Sequence, residues 1–164
     1  MDKFHSKAMF APAIDGHVCT DKLRTEWTNL LLRWSWQLEG TFTFEFGETD
    51  DEKCLKLVKP LQNMLAMALF GKRYQRNGHP GVRMFAVVEP HKSGWLHVHA
   101  AFGGLESNQT QYASRFIREN WNYGIIQVGE IRDQYRYFYY ITKFVPITGH
   151  WYMSRHTEMM SKKS

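Results

Sequence analysis

The strongest structural signal in this chain is a pair of apolar segments, residues 82–90 and 95–102, that flank the sequence His91-Lys92-Ser93-Gly94. Glycine favours tight turns because it has no Cβ and readily adopts a left-handed backbone conformation. Apolar segments of this length on either side of a short polar turn are typical of two antiparallel strands. The sequence therefore predicts a β-hairpin with Gly94 at the left-handed position.

This hairpin would bring together three side chains that can bind a metal. If its turn is centred near Ser93, Glu89 lies opposite His97, and His99 follows two residues later on the same face of the strand. A bulge at Gly94 would shift this register by one residue and separate the three groups. The predicted site therefore depends on the register of the hairpin.

Two imidazoles and one carboxylate leave coordination positions open for water or a phosphate oxygen. This donor set suits Mg²⁺ or Mn²⁺, although Zn²⁺, Co²⁺ and Ni²⁺ also bind such sites. His91 is a competing ligand, but the turn aims it elsewhere. A second interpretation, two histidines on a half-exposed strand with no ion, stays open from these residues alone.

Periodic patterns predict helices and strands in the rest of the chain. Before the hairpin we expect a helix that is capped by Thr20 or Asp21 and reaches Trp34, and then a strand at 41–46 with Phe42, Phe44 and Phe46 on one face. A helix with Pro60 in its first turn follows. After the hairpin the patterns predict a helix at 110–121, a strand at 125–131 and a helix at 135–145. No linker or repeat divides the chain. We therefore expect one domain over residues 1–164, with its core at about 20–150, and an α+β fold with an antiparallel sheet.

The composition indicates the kind of partner more than the activity. The net charge of +5 and the pI of about 9.2 favour a polyanion, and aromatic residues, at 15%, suit either a core or stacking on unpaired bases. Cys19 and Cys54 form no CxxC pair, which favours a reduced, cytoplasmic setting. No apolar run approaches the roughly 18 residues that a membrane span needs, so no membrane partner is expected.

The last predicted helix carries a candidate nucleophile, Tyr140, with Lys143 beside it on the flank of an apolar stripe. The stripe consists of Tyr137, Phe138, Ile141, Phe144 and Val145. A free phenol has a pKa near 10, so attack on phosphorus needs help in releasing the proton, and Lys143 can stabilise the resulting charge. Tyr139 points away from the stripe and is expected at the surface. The segment also fits an aromatic core helix with one surface lysine.

Taken together, these motifs resemble the HUH endonuclease superfamily, and most closely the rolling-circle replication initiators of small phages, plasmids and single-stranded DNA viruses. The likeness runs from about residue 41 to residue 145. Its segments are residues 89–99, Tyr140-Ile141-Thr142-Lys143, Phe42-Thr43-Phe44 at the position of the family's first motif, and Trp121-Asn122-Tyr123-Gly124, which is similar to the phage gene II type. The resemblance implies a central antiparallel sheet of about five strands flanked by helices, related to ferredoxin-like and RNA-recognition folds.

By this resemblance, Glu89, His97 and His99 are the metal ligands, Tyr140 is the nucleophile and Lys143 is the lysine beside it. The implied activity is site-specific nicking and joining of single-stranded DNA at a replication origin, with Mg²⁺ or Mn²⁺ and through a covalent 5′-phosphotyrosine. A host polymerase would extend the released 3′-hydroxyl. The sequence contains no P-loop, so we expect a separate helicase.

One position departs from part of the family. Some members carry a second tyrosine one turn after the first, and here that position is Phe144, while Arg136 occupies the position four residues before Tyr140. This favours a single nucleophile. Tyr135 and Tyr139 are themselves four residues apart, so a two-tyrosine arrangement shifted by one residue stays open.

Basic and aromatic side chains supply candidate DNA contacts: Lys72, Arg73, Arg76, Arg83, Lys92, Trp95, Arg132 and Arg136. Each also fits a solvated charge or a packed aromatic ring. Alternative functions are a single-strand DNA transposase or mobilisation relaxase with the same chemistry, or a non-catalytic nucleic-acid-binding domain. Ala101 occupies the third position of a His-x-His-x-His motif, which argues against a histidine-triad nucleotide hydrolase. The oligomeric state is left open.

Overall fold

The computed structural model describes residues 16–154, except the side chains of 16–20 and 147–148. The helices are α1 Gly16–Leu31, α2 Asp51–Phe70, α3 Thr110–Asn120, α4 Gln134–Ile141 and the short α5 Val145–Thr148, with a 3₁₀ turn, Thr142–Phe144, between α4 and α5. The strands are β1 Trp36–Phe42, β2 Arg83–Pro90, β3 Leu96–Gly103, β4 Ile126–Glu130 and β5 Trp151–Met153. Residues 1–15 and 155–164, which belong to the predicted peripheral ends, lie outside the described residues, whereas residues 151–153 of the predicted C-terminal end form β5.

The strands form one antiparallel sheet in the order β4-β1-β3-β2-β5. Successive side chains point to opposite faces of a strand, so the sheet buries two separate clusters. One face packs against α2 and α3, burying Leu65 and Ile117, and the other packs against α1 and α4, burying Leu31 and Phe138. The predicted α+β fold with an antiparallel sheet of about five strands is confirmed.

The central hairpin has the predicted register. Glu89 pairs with His97, and the pairing continues without a bulge from Pro90 opposite Leu96 back along both strands. Gly94 occupies the left-handed region of the turn, with φ of 86°, as expected for a residue without a Cβ. The ladder therefore brings Glu89, His97 and His99 to one end and one face of the sheet.

The first strand begins and ends earlier than predicted. It spans 36–42 and not 41–46, because the bulged pairing with β3 starts at Trp36. Beyond Phe42 the chain leaves the regular ladder, although the amides of Thr43 and Glu45 still donate hydrogen bonds to the segment before β4. Phe42 is buried, but Phe46 is 90% exposed, so the alternation of phenylalanines does not mark one buried face.

Two helices also begin earlier than predicted. Helix α1 starts at Gly16, so Thr20 and Asp21 lie inside it and do not cap it. Helix α2 starts after Asp50, whose side chain accepts a hydrogen bond from the Lys53 amide, and Pro60 therefore lies in the helix interior. Proline there removes one backbone donor, but burial of one face of α2 stabilises the helix. None of the helices within residues 16–154 is long and apolar enough to cross a membrane.

The C-terminal part of the described chain adds an element that the sequence did not indicate. The predicted helix at 135–145 is divided into α4, the 3₁₀ turn and the start of α5. The short strand β5 follows and pairs with the edge of β2, where Trp151 lies opposite Val87. Three residues are too few to show a periodic pattern, so this strand could only be found from its tertiary pairing.

The segment between α3 and β4 approaches the end of β1 so closely that it requires a glycine. Trp121 Nε1 donates a hydrogen bond to the carbonyl oxygen of Thr43, at 3.3 Å. A Cβ on Gly124 would lie 2.3 Å from that same oxygen and 2.8 Å from the amide nitrogen of Glu45. Backbone atoms cannot move aside as a flexible side chain would, so a larger residue must push the two segments apart.

We expect Gly124→Ala to lower the free energy of unfolding by about 1–3 kcal/mol, because the added methyl group overpacks a backbone contact. Gly129→Ala in β4 is the matched control, since a Cβ there meets no atom within 4 Å. Its stability should stay within about 0.5 kcal/mol of wild type. Urea unfolding followed by circular dichroism measures both. Equal effects of the two substitutions would contradict the close approach.

Candidate active site

The hairpin brings the three predicted metal ligands within reach of one ion. The Oε2 atom of Glu89 lies 2.6 Å from Nε2 of His99 and 3.4 Å from Nε2 of His97, and the two nitrogens are 3.2 Å apart. Glu89 and His99 are buried, and His97 is partly buried. The predicted convergence of the three side chains is therefore present in the fold.

The donor atoms of this group fit a divalent cation. Neighbouring ligand atoms around an ion with bonds of about 2.1 Å are roughly 3 Å apart, which matches the observed separations. Burial, followed by the proximity of His99, lowers the pKa of His97 and favours its neutral, metal-binding form. Burial opposes ionisation of Glu89, but the hydrogen bond from His99 and nearby positive charges outweigh it, so the pKa of Glu89 lies below its usual value.

Thr41 of β1 contacts the other side of the His99 ring. The two residues pair across β1 and β3, and Thr41 Oγ1 lies 3.3 Å from His99 Nδ1. When an ion takes the place of the hydrogen bond between His99 Nε2 and Glu89, a proton on Nδ1 that is donated to Thr41 leaves Nε2 with the lone pair that the metal requires. No local pattern marks Thr41 for this contact, because only strand pairing brings it beside a histidine 58 residues away.

Tyr140 and Lys143 reach the same carboxylate from the helical layer. The Tyr140 hydroxyl lies 3.4 Å from both carboxylate oxygens of Glu89, and Lys143 Nζ lies 3.7 Å from Oε1 of Glu89 and 3.9 Å from the centroid of the Tyr140 ring. Burial and the Glu89 carboxylate raise the pKa of Tyr140, so the phenol is protonated at neutral pH. Tyr140 is nevertheless 44% exposed and therefore accessible to a bound strand.

The apolar stripe of α4 explains the position of Tyr140. Phe138 and Ile141 are fully buried against the sheet, as predicted from the spacing. Asp133 caps the helix by accepting a hydrogen bond from the Arg136 amide. Because the helix is anchored in this way, Tyr140 stands at the boundary between the buried stripe and the solvent.

Tyr139 is not the simple surface residue that was expected. It is partly buried, its ring stacks on Tyr135 with a centroid distance of 5.9 Å, and the Arg24 guanidinium lies 3.6 Å from its centroid. The helical wheel missed this because α1 covers that flank of α4. Tyr139 therefore faces α1 and Tyr135 stacks on it, whereas Tyr140 faces Glu89.

Helix α1 also contacts the chain immediately beside Tyr140. Arg24 Nε donates a hydrogen bond to the Tyr139 carbonyl oxygen. Thr28 Oγ1 lies 3.2 Å from Thr142 Oγ1, and both residues are fully buried. These polar contacts fix α1 against the residues on either side of Tyr140 and Ile141.

The candidate DNA-contacting residues are divided between the two ends of the sheet. Lys92 and Trp95 lie in the exposed turn beside the His pair, and Arg132 and Arg136 border a pocket next to Tyr140. Arg83 begins β2 and is six residues from Glu89, which corresponds to about 20 Å along the strand. Arg83 is partly buried and donates to the Ser35 carbonyl. The other three candidates precede β2 at the same distant end of the sheet: Lys72, Arg73 and Arg76. If they bind DNA, they do so far from Glu89.

Comparison with known families identifies the group to which the chain belongs. Residues 38–145 match the family of replication-associated proteins that is described by its ORF2 and gene II protein members, which places the chain in that family. The matched range contains the hairpin, Tyr140 and Lys143. Membership confirms the resemblance to replication initiators drawn from the sequence motifs.

Likeness to individual proteins is weaker. No curated protein matches the chain. A solved structure with 14% sequence identity is the N-terminal nuclease domain of non-structural protein 1 from minute virus of mice, described with Zn²⁺ coordination in its active-site pocket. The alignment covers 87% of this chain and 73% of that chain, with a TM-score of 0.25. So low a score does not establish a shared fold.

We expect Thr28→Val to lower the free energy of unfolding by about 1–2 kcal/mol, because it removes a buried hydroxyl that partners Thr142 without changing the side-chain shape. Thr25→Val is the matched control on the same helix, since its hydroxyl bonds in an exposed position to the Asp21 carbonyl. The control should change stability by less than about 0.5 kcal/mol. Thermal and urea unfolding compare them, and equal losses would show that docking of α1 does not depend on this contact.

Proposed function

We propose that this protein is a metal-dependent nickase that cuts and rejoins single-stranded DNA at a specific origin site and so initiates rolling-circle replication. The observation that carries the proposal is the position of the Tyr140 hydroxyl, 3.4 Å from the carboxylate of a Glu-His-His cluster. A nucleophile and a metal-binding group meet there on an open surface. Membership of a replication-associated family supports a role in replication over transposition or mobilisation.

Glu89, His97 and His99 are the residues that would hold Mg²⁺ or Mn²⁺, since their three donor atoms lie within 4.8 Å of one another. A divalent ion bound there supplies electrophilic activation of a phosphate group. Two imidazoles and one carboxylate leave room in the coordination sphere for such a ligand.

Tyr140 provides the attacking atom. Its phenolic oxygen forms a bond to phosphorus, the bond from phosphorus to the 3′ oxygen breaks, and the products are a 5′-phosphotyrosine and a 3′-hydroxyl. The phenolic proton must leave, and the partly exposed phenol can release it to the solvent. The departing 3′ oxygen takes up a proton, so the reaction is balanced without an added reagent. Attack by a later 3′-hydroxyl reverses the sequence and rejoins the strand.

Lys143 stabilises the charge that develops during this transfer. Its ammonium group lies over the Tyr140 ring and close to Glu89, so it faces both the phenolate and the incoming phosphate. A positive charge at this position offsets the negative charge that develops as the proton leaves and the phosphate is attacked. A host polymerase that extends the 3′-hydroxyl and a separate helicase are the partners that this chemistry needs, and a cytoplasmic location suits them.

Removal of the central carboxylate charge should weaken metal binding. We expect Glu89→Gln to bind Mn²⁺ at least about tenfold more weakly than wild type, because the amide oxygen is a poorer ligand for a hard cation. Glu119→Gln, at an exposed position on α3, is the control and should bind as wild type does. Isothermal titration calorimetry measures both affinities. Unchanged Mn²⁺ affinity in Glu89→Gln would remove Glu89 from the ligand set.

The covalent intermediate gives the most direct test of the reaction. Wild-type protein incubated with Mn²⁺ and single-stranded oligonucleotides of randomised sequence should give a shifted protein–DNA band on a denaturing gel. Tyr140→Phe should give none, because it lacks the attacking oxygen. Tyr135→Phe and Tyr139→Phe are matched controls from the same helix and should retain the band. A band with Tyr140→Phe, or its loss with Tyr139→Phe alone, would assign the nucleophile elsewhere.

A further inference from the structure

An open pocket of about 710 Å³ lies next to Tyr140, between α4 and the part of the sheet formed by β1 and β4. Its volume falls within the range of about 300–1,000 Å³ that is usual for small-ligand sites. The charged groups that line it are three carboxylates, Glu39, Glu130 and Asp133, and two guanidinium groups, Arg132 and Arg136, and they stand beside Tyr137 and Tyr140. None of the reaction steps proposed above uses Glu39.

Glu39 is the distinctive polar group in this pocket. It is a partly buried residue of β1, and among residues 16–154 its carboxylate has neither a hydrogen bond nor an ion pair. Burial raises the pKa of Glu39, although the proximity of His99 opposes this. A partly buried carboxylate that accepts no hydrogen bond is energetically unfavourable. A ligand that donates N–H groups to it would remove this cost and so bind favourably there.

The strand beside Glu39 leaves the space above it open. Gly129 pairs with Glu39 across β1 and β4. A Cβ on Gly129 would meet no atom within 4 Å, so no neighbouring side chain fills this region. On the opposite side of the pocket, Tyr137 is held by a hydrogen bond from its hydroxyl to the Ala100 carbonyl, which makes that wall rigid.

The charges in the pocket favour different positions for the phosphate and the base of a bound nucleotide. A phosphate against Glu39 would place two negative charges together, so the sugar–phosphate backbone is excluded from that side. The exposed guanidinium groups of Arg132 and Arg136 attract phosphate at the rim near α4, where the carboxylate of Asp133 is engaged by the Arg136 amide as the helix cap. A nucleotide beside Tyr140 therefore directs its phosphate to the helix and its base to Glu39.

A carboxylate selects among the bases by their hydrogen-bond donors. An ionised carboxylate only accepts, through two oxygens side by side. The Watson–Crick edge of an unpaired guanine presents two adjacent donors, N1–H and the N2 amino group. Cytosine and adenine present one amino group next to an acceptor nitrogen, and thymine presents one N–H between two carbonyls that would repel the carboxylate.

We propose that this pocket binds a guanine of the single-stranded substrate, in a nucleotide adjacent to the reacting phosphate, with the Glu39 carboxylate accepting from N1–H and from the N2 amino group. The inference rests on the proposed function for the identity of its substrate. It assigns part of the sequence specificity of nicking to a residue that is neither a metal ligand nor the nucleophile.

Binding without cleavage tests this assignment. Fluorescence anisotropy with the Tyr140→Phe protein would compare a labelled oligothymidine with the same strand carrying one central guanine or one central inosine. A single guanine should tighten binding about tenfold, and inosine, which lacks the N2 amino group, should lose most of that gain. With Glu39→Gln also present, the three strands should bind equally, at the oligothymidine affinity.

Glu130→Gln is the matched control, because Glu130 is an exposed carboxylate at the end of β4 that borders the same pocket. It should keep the guanine preference. Equal binding of guanine and thymine strands, or a preference that survives Glu39→Gln, would overturn the inference. If the covalent band still forms with wild type, the proposed nicking function stands without it. A guanine preference that depends on Glu39, together with no covalent band from wild type, would instead refute the nicking function alone. Failure to bind any of the strands would overturn both the guanine pocket and the nicking function.

Discussion

Glu89 and His97 face each other because β2 and β3 pair without a bulge along their whole length. A shift of this ladder by one residue would turn Glu89 to the opposite face, towards α2 and α3, and leave the two imidazoles without a carboxylate. The turn that closes the hairpin contains Gly94 in a left-handed conformation, which keeps the connection short. The register of one hairpin therefore fixes which donor atoms meet, because buried side chains on both faces oppose slippage.

The Glu89 carboxylate links the two layers of the site. The histidines approach it along the sheet, and Tyr140 and Lys143 approach it from the helical layer. A buried carboxylate is costly unless positive or donating groups surround it, and here all its neighbours supply such groups. A buried carboxylate needs hydrogen-bond donors and positive charges around it, and this need also places the phenol of Tyr140 beside the Glu-His-His cluster.

Helix α1 lies outside the segment that matches the replication-associated family, yet it contacts the helix that carries Tyr140. Its Trp27 packs against Phe85 of β2, and Arg24 and Thr28 contact the chain next to Tyr140. Further along the strands, the face that carries the histidines is apolar, so it must be covered for the strands to remain paired. Residues before the family segment thus help to define where Tyr140 stands.

Local spacing along the chain is enough to predict the hairpin, the convergence of Glu89, His97 and His99, and the buried stripe that directs Tyr140 outwards. These features follow from the period of two in a strand and of 3.6 in a helix, which can be read directly from the residue order. Tertiary packing set the start of β1, the length of α2 through Pro60, the pairing of β5 and the contact between Tyr139 and Arg24. It also placed Thr41 beside His99 and opened the pocket at Glu39. Each of these features depends on contacts between segments that are distant in the chain. Local periodicity does not indicate which strand or helix will lie next to another.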